Sequence, residues 1–249
     1  MADTRFGIIG GTGAVDLLDR EKLRHVDTPW GSPSAPLAEV TLADQSVWFL
    51  ARHGNPHRIA PHRVNYRANI DALRQAGVSD VIAINAVGGV DPQLAPGALV
   101  VPDQLMDYTW GRESSFANDH DRPLVHIEFG RPFCPQLRVQ LLAAGADLGL
   151  EVHNGGCCAV TQGPRLETEA EVRRLENDGA TLVGMTSLPE AALAREAGLN
   201  YASVCVVANP AAGVSAEAIS LDAIERVLHQ SMGSVHKLLE RVIERQREV

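Results

Sequence analysis

Three runs of small and β-branched residues recur along the chain, and each breaks into glycine or asparagine at its C-terminal end. They are Phe6-Gly-Ile-Ile-Gly10-Gly11-Thr12-Gly13, Val81-Ile-Ala-Ile-Asn85-Ala-Val-Gly88-Gly89 and Ala202-Ser-Val-Cys-Val-Val-Ala-Asn209. Apolar runs of this length bounded by glycine read as buried strands, and their tips face a crevice where backbone can approach a ligand closely. Between them lie segments of helical period. Asn65 to Gly77 places Ala68, Ile70, Leu73 and Ala76 on one side and stops at glycine; Leu137 to Gly149 and Pro189 to Gly198 behave alike. From Leu221 to Ile243 apolar residues recur as one long amphipathic helix. Strands alternating with helices over 249 residues predict one α/β domain, 1–249.

Composition removes several functions. A net charge of −9 without a basic stripe speaks against nucleic acid as a partner. Cys134, Cys157, Cys158 and Cys205 include no C-x-x-C, so neither a zinc knuckle nor a disulfide framework is expected. The first residues lack the pattern of a secretory signal and no run reaches membrane-spanning length; a cytoplasmic protein with no membrane partner is expected.

The polar residues at the strand ends suggest an anion site. Gly10-Gly11-Thr12-Gly13 can offer backbone N–H groups and a hydroxyl; a turn without ligand would read the same, and a dinucleotide fingerprint fails because Asp16 stands where its third glycine belongs. The run Ser46 to Ala51 delivers Arg52 and His53, a charged fork beside an imidazole that can donate a further hydrogen bond. His53, His57 and His62 have no carboxylate or cysteine at ligand spacing, so no metal is expected. Thr186 precedes a helix start, where anions bind. Thr168 and Glu171 have the spacing of a capping box, which leaves Glu167, just before that helix, free to face the crevice. Asn209 closes the last strand and is the candidate for reading the ligand, although an Asn before Pro210 can simply start a turn. Residues 107–135 form a long polar connection, expected to be a subunit contact.

With these segments in view, the chain resembles the trimeric purine nucleoside phosphorylases and methylthioadenosine phosphorylases. The resemblance rests on Gly7 to Gly13, Ala51 to Gly54 with Val64 to Asn69, Asn85 to Gly89, Gln162 to Thr168, Gly184 to Thr186 with Pro189-Glu190, and Asn209 to Gly213, in family order from first strand to last. It implies a nucleoside phosphorylase fold: a central mixed β-sheet flanked by helices in three αβα layers. It also implies a homotrimer or a dimer of trimers, no cofactor, and inorganic phosphate as co-substrate of a purine nucleoside. By the same resemblance Thr12, Arg52, His53, Asn85, Ala86 and Thr186 fall at the phosphate. Ala86, Val87, Gly88, Leu166, Glu167, Met185 and Asn209 fall at the purine. Met185, His57, Leu221, Ile224 and a His126 lent by a neighbouring subunit fall at the ribose and its 5′ substituent. Asn209, Glu167 and His53 take the catalytic positions.

The departures from the adenine-specific relatives decide the expected substrate. Those enzymes carry a serine at position 167 and aspartates after the last strand; this chain has Glu167, Asn209 and Ala211. A carboxylate can accept the N1 proton of a 6-oxopurine, whereas adenine would leave it unpaired at a cost of roughly 1–3 kcal/mol. At the sugar end, ordinary nucleoside phosphorylases use a histidine near the start of the C-terminal helix, and here Leu221 and Ile224 occupy that region, with His229 expected too far along. Apolar packing of a methylthio group there is worth about 1–2 kcal/mol. The expected reaction is phosphorolysis of S-methyl-5′-thioinosine to hypoxanthine and 5-methylthioribose 1-phosphate. The alternatives are a general inosine/guanosine phosphorylase and a methylthioadenosine phosphorylase.

Overall fold

The structure is a computed structural model describing residues 5–11, 22–118 and 123–247. In chain order its elements are β1 (Phe6–Gly10), β2 (Lys22–Arg24), β3 (Leu37–Leu42), β4 (Gln45–Ala51), α1 (Tyr66–Gln75), β5 (Asp80–Gly89), β6 (Leu99–Val101), β7 (Gln104–Tyr108), α2 (Pro135–Asp147), β8 (Val152–Asn154), β9 (Cys157–Thr161), α3 (Glu169–Asn177), β10 (Leu182–Gly184), α4 (Ser187–Glu196), β11 (Asn200–Pro210) and α5 (Leu221–Arg247).

The sheet is mixed and is built on β5. Parallel β11 runs along one edge from Asp80 to Gly89. On the other edge parallel β1 occupies Asp80 to Ala83 and antiparallel β10 occupies Gly88 and Gly89. Residues 84–87 of β5 are left between two strands that approach from opposite directions, and a crevice opens at that divergence. Alternation along the strands divides the core. Ile8, Ile82, Ile84, Val204 and Val206 face α2 and α5, whereas Ile9, Val81, Ala83 and Tyr201 face α1 and α4. Each large aliphatic side chain buried this way contributes on the order of 1.5–3 kcal/mol. The three-layer αβα arrangement is therefore the one the resemblance implies.

The helix termini follow their sequence signals. Thr168 and Glu171 form the reciprocal capping box at the start of α3. The Asn65 side chain accepts from the Ala68 N–H at the start of α1, and Gly77 follows its end at φ +80°. Strand β3 is not foreshadowed, because its hairpin to β4 turns on Ala43 and Asp44, both at positive φ, without the glycine that normally marks such a turn. Strands β2, β7 and β8 likewise carry no clear sequence signal. β7 takes the first residues of the expected 107–135 loop into the sheet by pairing with β9. Among the described residues no helix is long and apolar enough to cross a membrane.

Candidate active site

A cavity of about 1040 Å³ opens at the crevice beside β5. Its floor carries Gly11, Arg52, His53, Ala86 and Thr186. Thr12 lies outside the described residues. Arg52 directly follows β4 and is almost wholly buried, as is Glu190 of α4. Its Nε donates to Glu190 Oε2 at 2.7 Å, Nη2 to Glu190 Oε1 at 2.8 Å and Nη1 to the Ile84 carbonyl at 3.1 Å. Of the five guanidinium N–H bonds, one on each terminal nitrogen remains for an oxyanion. Burial alone would lower the Arg52 pKa, but the charge and hydrogen bonds of Glu190 outweigh it and the group is held cationic. Tyr201 donates to Glu190 Oε1 at 2.8 Å and completes the carboxylate's set. A β-carbon on Gly11 would sit 3.0 Å from Arg52 Nη1, so the glycine is what allows the backbone to lie against the guanidinium.

His53 differs from its expected role. Its Nδ1 lies 2.7 Å from the Ile59 carbonyl, which can only accept, so Nδ1 carries the proton. Burial, helped by the Arg52 charge, lowers its pKa to about 4. At neutral pH Nε2 is therefore a lone pair: the ring accepts a hydrogen bond from a ligand and does not donate one. His57 stacks flat on it, centroids 4.5 Å apart at 3°, and stands at the cavity mouth. Asn85 is a second correction. Adjacent strand residues face opposite ways, so with Ala86 on the floor Asn85 points beneath it. Its carboxamide bonds Ser187 Oγ at 3.2 Å, Ser203 Oγ at 2.6 Å and Thr186 Oγ1 at 3.1 Å. It anchors Thr186 from below and does not line the cavity.

The wall opposite carries Val87, Gly88, Leu166, Glu167, Val183, Gly184, Met185 and Asn209. The β11 pairing shifts register between Val207 and Asn209, a bulge at Ala208 that re-aims the following side chain. Asn209 Nδ2 donates to the Pro210 carbonyl at 2.6 Å, which leaves one amide N–H and the Oδ1 acceptor for a ligand. Glu167 Oε1 accepts the Thr161 hydroxyl, leaving Oε2 as a free acceptor. The loop before Glu167 presses on Met185, since a β-carbon on Gly163 would fall 2.5 Å from the Met185 sulfur.

The third wall is one stripe of α5. Leu221, Ile224, Glu225, Leu228, His229, Met232 and Gly233 follow the i, i+3, i+4 period, with Ile219 before the helix. This overturns the expectation that His229 lies too far along: measured in turns, it is one turn after Glu225 on the same face. Leu221 is at the rim and 69% exposed. His126 is exposed and does not line the cavity of its own chain. Among the described residues no three His, Cys, Asp or Glu side chains converge as a metal would need, and His62 lies apart from the cavity.

Sequence reasoning missed Arg112 and the role of Glu190. Glu190 falls in one of the matched stretches, but its part in the site shows only in its pairing with Arg52 across 138 residues of chain. Arg112 lies in the long loop with no motif around it.

Comparison with known proteins places the chain in a family. Residues 5–244 match the phosphorylase superfamily. The chain is 49% identical over 242 residues, 96% of its own length and 98% of the relative's, to a probable S-methyl-5′-thioinosine phosphorylase of Pseudomonas syringae pv. tomato. It is 39% identical over 241 residues, 94% and 90% of the two chains, to the 6-oxopurine nucleoside phosphorylase of Pyrococcus furiosus. The methylthioadenosine phosphorylase of Schistosoma mansoni in complex with adenine superposes with a TM-score of 0.94 at 33% identity, covering 99% of this chain and 93% of that one. With the fold and nearly the whole length matched, the chain belongs to the phosphorylase superfamily.

Proposed function

We propose that the protein is a phosphorolytic pentosyltransferase that cleaves S-methyl-5′-thioinosine to hypoxanthine and 5-methylthioribose 1-phosphate. The observation that carries it is one cavity holding a buried cationic fork on its floor and, on the wall, a carboxylate acceptor beside a carboxamide. Cleaving the glycosidic bond puts positive charge on the sugar and negative charge on the purine. Phosphate held by Arg52, Ala86 and Thr186, and by Thr12 according to the family pattern, lies against the sugar and attacks its anomeric carbon. Asn209 donates its free N–H to the departing base at N7, and Glu167 accepts the N1 proton of the 6-oxopurine. Met185 packs on the ribose. Leu221 and Ile224 offer the 5′ end apolar surface. No cofactor enters the scheme.

A second reading, a general 6-oxopurine nucleoside phosphorylase, is favoured by Glu225 and His229, which add polar groups to the same end of the cavity. Steady-state kinetics with and without phosphate separate the two. Product forms only with phosphate, and kcat/KM for methylthioinosine exceeds that for inosine by about tenfold, as 1–2 kcal/mol of thioether burial allows. Equal efficiency on inosine moves the assignment to the second reading, and turnover in phosphate-free buffer removes both.

The working form is a single-domain subunit of a cytoplasmic homotrimer. Supporting this, the loop after β7 exposes Trp110 and Leu124 (each 72%) and Val125 (53%) beside His126, a surface suited to a neighbouring subunit. The kinetics are therefore run on protein whose mass in solution has been read by light scattering.

The His53 tautomer bears on the protonation of the bound phosphate. With Nδ1 tied to Ile59, Nε2 can only accept, and the phosphate dianion carries one hydroxyl that can donate to it. Binding then takes up no further proton, and the phosphate KM is expected to stay flat from neutral to alkaline pH. A phosphate KM that rises about tenfold per pH unit above the second ionisation of phosphate would mean that the bound pair holds an extra proton, and contradicts this assignment.

A further inference from the structure

We propose that Arg112 is the positioning residue of the nucleoside half of the site; this rests on the phosphorolytic reading above. Its half-buried guanidinium does not line the cavity and has no carboxylate among its hydrogen-bond partners. It gathers the oxygens of three separate segments instead. Nη2 donates to the carbonyls of Thr161 at 3.1 Å and Gln162 at 2.9 Å, and Nε to the Gln162 side chain at 3.2 Å. Nη1 donates to the carbonyls of Met185 at 2.8 Å and Leu188 at 2.7 Å and to the Tyr66 hydroxyl at 3.3 Å. The cation also lies 5.6 Å from the centre of the Tyr66 ring.

These acceptors lie where regular structure ends. Thr161 and Gln162 open the irregular stretch that leads to Glu167, and Met185 and Leu188 bracket the passage from β10 into α4. Carbonyls in such stretches lack ladder partners and need donors from elsewhere. A planar fork with five N–H bonds is the one side chain that can serve both stretches together. Thr161 also gives its hydroxyl to Glu167, and Tyr66 gives its own to Pro61 on the cavity rim at 2.9 Å. One guanidinium thus fixes the distance between the base-reading carboxylate, the Met185 packing surface and the mouth.

The loop carrying it is itself braced. Ser115 Oγ and the Phe116 N–H both bond Glu196 at the end of α4, at 3.1 and 3.0 Å, and the Phe116 ring packs on Trp30 at 4.6 Å. The phosphate floor has anchors of its own, since Arg52 is held by Glu190, and Thr186 and Ser187 by Asn85. Arg112 is therefore tied to nucleoside recognition and not to phosphate.

The test is Arg112→Ala and Arg112→Lys, assayed with both substrates beside the wild type. The nucleoside KM rises by about tenfold or more in each while the phosphate KM stays within about twofold, because three ammonium donors cannot span both stretches. Millimolar methylguanidinium restores part of the nucleoside KM in the alanine variant, which a general loss of stability would not allow. A nucleoside KM unchanged in either variant, a parallel rise of both KMs, or an absence of rescue overturns the proposal. Should the alanine variant not fold, the KM split in the lysine variant decides. A wild type that shows no phosphorolysis overturns the underlying reading instead, and is told apart by that control.

Discussion

Replacing Glu190 with alanine or glutamine is expected to raise the phosphate KM by about 100-fold and to destabilise the protein by about 3–5 kcal/mol. Both effects have one cause. Arg52 and Glu190 are buried to within about a hundredth of their surface, and the guanidinium spends two of its donors on the carboxylate. Removing one member leaves an unpaired charge in a medium that solvates it poorly, which accounts for the stability loss. The same removal frees Arg52 to leave the geometry in which its two outer N–H bonds face the cavity, which accounts for the KM. For a chain of this size the stability loss corresponds to a thermal midpoint lower by about 10 °C. Stability and function are then separable. Arg52→Met with Glu190→Leu and Tyr201→Phe replaces the whole buried set by apolar groups, and such replacements are often neutral or stabilising. That variant should melt near the wild type and yet fail to use phosphate. If it remains unstable, packing and not charge dominates this layer; if it still saturates with phosphate, Arg52 is not the anion's main partner.

Much of this architecture was legible because it is local. Strands β1, β5 and β11 announce themselves by apolar runs that end in glycine or asparagine, and α3 by a capping box whose two hydrogen bonds lie within four residues. Asn209, Arg52 and Met185 were legible because each stands at the end of such a run, where side chains leave the sheet, and Glu167 because it stands just before the capping box of α3; the structure brings all four to one cavity. What could not be read is long-range or depends on atoms that sequence does not specify. Glu190 lies in a matched stretch, but nothing local assigns it a role until the fold brings Arg52 to it. Arg112 works through backbone carbonyls, which leave no trace in residue type. The His53 tautomer is set by the Ile59 carbonyl six residues on, so an imidazole expected to donate becomes an acceptor. Asn85 was read from its place at a strand tip, but strand alternation turns it under the floor. His229 was misjudged by counting residues along the chain, when a helix face is counted in turns.

Exchanging Glu167 for serine together with Asn209 for aspartate is expected to shift the ratio of kcat/KM for the 6-oxo against the 6-amino nucleoside by at least about 100-fold toward the amine. The wild-type wall presents a carboxylate acceptor, with one oxygen already committed to Thr161, and a carboxamide whose single free N–H faces the base. A 6-oxopurine offers a proton at N1 to Glu167 and an acceptor at N7, flanked by O6, to the Asn209 N–H. Adenine offers a lone pair at N1 and a donor at the 6-position, so Glu167 faces like with like and the amino group sets a second donor beside the Asn209 N–H that reaches for N7. An unpaired charged acceptor costs roughly 1–3 kcal/mol or more, and sites that bond a substrate's polar groups reject mismatched analogues strongly. Serine removes the repulsion because its hydroxyl can donate to N1. Aspartate supplies an acceptor for the amino group and, protonated, a donor to N7. Each single variant should lose activity on the oxopurine and gain little on the amine, since each corrects one of two mismatches, and the double variant should exceed the sum of the two. Measuring both nucleosides across the four proteins of this cycle decides the matter: selectivity that stays with the oxopurine in the double variant would mean that base choice is made elsewhere on the wall, by Leu166 or the backbone of Gly88.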